Sequence, residues 1–218
     1  MTYDTAHLAQ DYIHYVKAVQ KQLRHEGHAL RFARALSIRV RIGFSNRCTP
    51  EHPNGPLMVV QPWHYGNTDV IRHEEAHILL WWSGLEAEII AEFGEELGWR
   101  VVENLCQFAV GFLRITQPMV DEAVNRYGVS AKAVKHLQKL SGADARTAMN
   151  RLIYDDARSC RAGFLMSGRY VSEVAQCNWG LPFGWLDEVP EPAKRFPSDA
   201  KVSFLKLTPS QVLGVCWG

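Results

Sequence analysis

The run "IRHEEAHILLWW", residues 71–82, constrains the fold more than any other stretch of the chain. Its apolar residues are spaced for a helix in the middle of a domain. Inside that helix sit His73, Glu74 and His77. Residues four apart on a helix lie one above the other, so both imidazoles can face one ion while Glu74 stands within reach of a water. The competing explanation is two histidines hydrogen-bonded on a helix flank. Asn67, Thr68 or Asp69 can cap the helix, which runs to about Ser83 and is ended by Gly84.

Catalytic zinc takes three protein ligands and a water, so a third donor is required. Glu86, Glu88, Glu92, Glu95 and Glu96 lie in a polar stretch and are explained as exposed charges. Glu103 lies in "RVVENLCQFAVGFL", among residues expected to be buried, where a carboxylate is costly unless paired or coordinated. It is the expected third ligand, with Gln107 one turn on to hydrogen-bond behind it. A salt bridge from Glu103 to Arg72 or Arg100 is the competing explanation. His64 and Tyr65, in "PWHYGN" just before the helix, are candidate donors to an oxyanion, against a loop that simply packs aromatic surface.

The elements around this centre read as an α+β chain. A helix is expected over 5–24 and a short one over 29–35, then a half-buried strand in "LSIRVRI", a loop or hairpin connection over 46–56 and a strand in "LMVVQP". Residues 86–97 are ambiguous. From Trp99 to Ile115 the apolar residues crowd almost every side, as in a buried helix. Gln117 and Pro118 open a helix to about Tyr127, closed by Gly128. Residues 130–152 form two short helices about Ser141–Gly142, the pattern of a helix-turn-helix pair. Past Cys160, "GRYVSEVAQC" and "KVSFLKLT" read as strands flanking a Pro-rich loop at 181–197. The expected division is 1–128, 129–156 and 157–218.

A content of 47% hydrophobic residues in 218 is enough for one sizeable domain. The longest apolar runs, such as "FAVGFL", fall far short of the roughly 20 residues that span a bilayer, and no leader pattern opens the chain. A cytoplasmic protein without membrane contact is expected. Five scattered cysteines with no CxxC spacing suit neither a disulfide framework nor a cysteine zinc site. Charge is segregated: residues 69–103 hold 9 acidic and 2 basic side chains, whereas 114–169 hold 10 basic and 5 acidic. On the helical pair, Lys132, Lys135 and Lys139 line one face of the first helix, and Arg146, Asn150 and Arg151 decorate the second. The pair can contact DNA weakly, dock a protein, or complete the core.

"HEEAH", the 26-residue step to "ENLCQFAVGFL", then "QPMVDEAVNRYG" and "AKAVKHLQKLSGADARTAMNRL" together resemble the ImmA/IrrE family of metallopeptidases, in its radiation-response branch, over roughly residues 60–155. The resemblance implies a mainly helical, zincin-like minimal peptidase with a small sheet, then a helix-turn-helix-like pair and a short β-containing segment. It places zinc, or manganese, on His73, His77 and Glu103, with Glu74 as general base. It implies a helix-turn-helix transcriptional repressor as substrate, DdrO-like or phage-repressor-like, whose cleavage relieves repression of a stress, DNA-damage or mobile-element response. Two departures stand out. Arg114-Ile115-Thr116 replaces the family's Leu-Met-Pro, and Glu75-Ala76 replaces its apolar-Gly pair. Glu75 points away from the ion on a helix and is expected to tune surface charge or substrate contacts. Two rival functions are a peptide deformylase, whose Gly-Cys-Leu-Ser setting "NRCTPEH" does not match, and a non-catalytic helix-turn-helix regulator or protein-binding module on the same fold.

Overall fold

The helical spacing of Leu8, Tyr12, Val16 and Val19 requires a buried stripe, and α1 (Ala6–Gln22) buries all four in the computed structural model, which describes residues 6–218. The expected start of this helix at Thr5 lies outside the described residues. α2 (Ala29–Ala35) and a three-stranded sheet follow, with β1 (Arg39–Ile42), β2 (Arg47–Thr49) and β3 (Leu57–Val60) in the order β1-β3-β2. β1 runs parallel to β3 and β2 antiparallel. Over 46–56, expected as a loop or hairpin connection, β2 and the turn after it form a hairpin with β3; three residues are too few for β2 itself to display an alternation.

Thr68 begins α3 (Asp69–Ser83): its Oγ1 donates to His64 O and accepts from Ile71 N–H, fixing the first turn. Gly84, at φ 82°, closes the helix in the left-handed conformation that favours glycine. α3 lies on the sheet, where Ile71 and Ile78 join Ala29, Ala33, Ile38, Met58 and Val60 in one core cluster. α4 (Leu85–Arg114) settles the ambiguous stretch as helix on both sides of a break at Gly94. Beyond the break, Gly98 packs so close to Ile90 that an added Cβ would sit 2.8 Å from its Cδ1.

The chain divides between Thr116 and Gln117 into two units, rather than at the expected 128 and 156. In the second unit, α5 (Gln117–Tyr127), α6 (Ala131–Ser141) and α7 (Ala145–Ile153) precede an antiparallel sheet of order β5-β4-β7-β6. β5 (Tyr170–Cys177) and β6 (Lys201–Thr208) are the two strands expected from sequence, and they are the edges. The central strands β4 (Arg161–Ser167) and β7 (Gln211–Trp217) went unread because both their faces are covered and alternation is lost. Phe164, Phe183, Phe196 and Phe204 form an aromatic cluster on this sheet, and Gly214 leaves room for the Phe164 ring. α7 packs on β4 and β5: Met149 presses on Gly163, Arg161 donates to Leu152 O, and Arg146 pairs with Glu173. Arg151, expected to decorate the surface, is fully buried. The second helix of the pair thus serves the core. No described helix is long and apolar enough to cross a membrane.

Candidate metal centre

α3 supplies two imidazoles on one face, and α4 packs alongside to bring a carboxylate to them. His73 Nε2 lies 3.2 Å from Glu103 Oε2, and His77 Nε2 lies 3.3 Å from Glu103 Oε1. The two Nε2 atoms are 3.1 Å apart, with the rings nearly perpendicular. Ligands of a tetrahedral zinc with bonds near 2.0–2.1 Å stand roughly 3.3–3.4 Å apart, close to the distance of each imidazole nitrogen from one Glu103 oxygen, and one ligand atom from each of the three residues lies within 4.8 Å of the others. Two nitrogens, one oxygen and an open side are the donor set of catalytic zinc.

Glu103 stands beside the two imidazoles, but it is not buried as its crowded sequence context led one to expect. Its side chain is 58% exposed. Val102, Leu105 and Cys106 face the core, whereas Glu103, Asn104 and Gln107 lie on the solvent face of α4. The open side of the cluster is therefore reachable by a large substrate. Among the described residues neither competing salt bridge forms: Arg72 bonds Asp69, Asn67 and Gly27 O, and Arg100 bonds Glu96. Gln107 makes no hydrogen bond to Glu103 among the described residues.

Glu74 is 7% exposed. Burial, and then the charge of Glu103, push its carboxyl up to about 7, against the pull of the Cys48 thiol that hydrogen-bonds to it. A carboxylate poised near neutrality is suited to general-base work. Burial and the Glu74 charge drive the Cys48 thiol in turn up to about 12, so it is a protonated donor and not a nucleophile. The sequence does not single out Cys48 as a partner of Glu74. The signal that finds it is the register of β2, which pairs Cys48 with fully buried Met58 and so turns it toward the core against which α3 packs. Burial and neighbouring His73 lower the pKa of His77, opposed by Glu103; the neutral imidazole is the form a metal needs.

Behind the site, Tyr12 Oη donates to Ala76 O at 2.6 Å, pinning α1 to the middle of the motif. Glu75, expected to act at the surface, is 1% exposed. Burial holds its carboxyl well above the usual range, opposed by the Arg72 cation and the Ala33 amide. The two oxyanion candidates sit in the segment before α3. His64 Nδ1 is engaged by the Asn46 side chain, and Tyr65 is 48% exposed. In comparisons with known proteins, no family model and no curated protein matches this chain.

Proposed function

We propose that this chain is a zinc-dependent metalloendopeptidase of the ImmA/IrrE kind, acting on a helix-turn-helix transcriptional repressor. The observation that carries the peptidase reading is the convergence of His73 Nε2, His77 Nε2 and Glu103 beside a buried Glu74. His73, His77 and Glu103 would hold a divalent ion, which would supply polarisation of a scissile carbonyl and a water of near-neutral pKa. Glu74 takes the water's proton and passes it to the leaving amine. Cys48 keeps the carboxylate hydrogen-bonded on its buried side. Manganese is the second metal that suits the same donors. The exposed carboxylate of Glu103 supports a protein substrate over a small enclosed one, and the repressor is what the resemblance of "HEEAH" and "ENLCQFAVGFL" implies.

Metal content by mass spectrometry, paired with co-expression of candidate repressors, tests the reading. His77→Ala and Glu103→Ala are expected to lose the metal. Glu74→Gln keeps it and loses cleavage by a factor of about 10²–10⁴, the usual contribution of a general base. Unchanged metal content in both ligand variants overturns the ligand set; full cleavage by Glu74→Gln overturns the mechanism.

A further inference from the structure

The second unit holds a basic groove that the peptidase chemistry does not use. It encloses about 830 Å³ beside α6 and the last turn of α5, and is lined by Arg126, Lys132, Lys135, Lys139, Tyr127 and His136 among others, with no Asp or Glu in its lining. The three lysines are exposed, whereas Ala131, Ala133, Val134 and Leu137 on the same helix are buried, so α6 presents one cationic stripe outward. Spacings of three and four residues put the lysines in a row spanning roughly 10 Å at 1.5 Å per residue. Glu122, the carboxylate that reaches this region, is bound to His136 at 2.8 Å. Arg126 lies over the Tyr127 ring at the groove's edge.

We propose that this groove binds the phosphodiester backbone of nucleic acid. A row of lysines acts as a series of point charges, suited to an anion that repeats at short, regular intervals. A nucleic acid strand carries one charge per about 3.4 Å of rise, so roughly three phosphates fall within reach of the stripe. An acidic peptide carries its charges at irregular spacing and on longer side chains. The contact is made through α6 and the end of α5. It differs from major-groove reading by a recognition helix, because α7 is packed against β4 and β5. Binding is therefore indifferent to sequence and sensitive to salt.

Fluorescence anisotropy of the full chain with a labelled duplex of about 24 base pairs, its scrambled counterpart and a matching single strand tests the proposal without metal, so its failure leaves the peptidase reading standing. For three neutralised phosphates, affinity should fall roughly 20- to 40-fold between 50 and 200 mM salt, the smaller figure for the single strand. The triple variant Lys132→Gln, Lys135→Gln, Lys139→Gln should bind at least tenfold more weakly at 50 mM while keeping the wild-type melting midpoint. Lys135→Gln alone should reduce the salt slope by about one, which serves if the triple variant does not fold. Wild-type affinity in these variants overturns the proposal. So does tighter binding of poly-glutamate than of either nucleic acid, which would assign the groove to an acidic protein.

Discussion

Arg151 in the second unit and the "RHEE" segment in the first bury charge in two different ways. Arg151 is fully enclosed; its Nη1 donates to Asp155 Oδ1 at 2.6 Å and its Nη2 to Gln117 Oε1 at 2.9 Å. Gln117 then passes its own amide to Asp121 and Asp155. Residues 72–75 of α3 bury Arg72, Glu74 and Glu75 almost side by side, and there the pairing stops short. Arg72 Nε, His73 Nδ1 and Glu75 Oε1 are buried without a hydrogen-bond partner among the described residues. A buried polar group left unpaired costs about 1–3 kcal/mol. The second unit uses buried charge to hold its helices together, whereas the first tolerates incomplete pairing next to the cluster that can take an ion. Sequences break the rule of polar satisfaction mainly where function requires it.

The largest expected effect sharpens the structural half of this contrast. Arg151→Met leaves Asp155 and Gln117 without their donor and should cost roughly 3–5 kcal/mol of stability, as breaking a buried pair does. Replacing Asp155 by Leu in the same chain should recover much of the loss, because an apolar pair of similar volume needs no compensation. Urea unfolding of the single and double variants measures both. A double variant as unstable as the single one would mean that the network contributes more than the cancellation of two charges.

How much of this was legible follows from which faces are covered. α1 was read from one apolar stripe and α5 from its end signals, whereas α3, which has no exposed residue, was read from its apolar run and its caps. β5 and β6 were read, being edges, while β4 and β7 were lost because burial on both faces erases period two. His73, Glu74 and His77 were legible because ligand spacing is local to one helix. Glu103 was reached by an inference about crowding that its exposed side chain does not obey. Glu75 and Arg151 were misread and Cys48 was not tied to Glu74: each owes its environment to a neighbour distant in sequence, and periodicity carries no record of such partners.

The second prediction tests the other half of the contrast. Glu74 has an ordinary value of 4.5 and is pushed up to about 7 in the folded, metal-free chain. Between those values the native state keeps a proton that the unfolded chain has released, so stability falls as pH rises, by roughly 3 kcal/mol in all. His77, whose pKa is lowered on folding, acts in the opposite sense: stability is lost as pH falls below its ordinary value of 6.5. Comparing chelated wild type with chelated Glu74→Gln isolates the first effect. The variant should gain on wild type from pH 5 to pH 8, and loading metal should shrink the gap, because a nearby cation favours the carboxylate. A gap that does not change with pH would mean that Glu74 titrates normally and is not poised as a base.

Glu75→Gln is the smallest and most discriminating change, since it alters the buried network without touching a ligand. The folded value of Glu75 is raised by burial, opposed by Arg72 and the Ala33 amide, so its proton penalty has the same sign as that of Glu74. Near pH 5 the neutral acid and the amide are nearly equivalent, and the two chains should unfold together. Toward pH 8 the variant should be the more stable, because the unfolded chain releases a proton that folded Glu75 keeps. Metal content should not change, because the side chain points off the ligand face of α3. If Glu75→Gln instead weakened metal binding while leaving stability flat, the incomplete pairing behind α3 would belong to the metal centre itself, and the first unit would have to be read as one continuous site from Arg72 to Glu103.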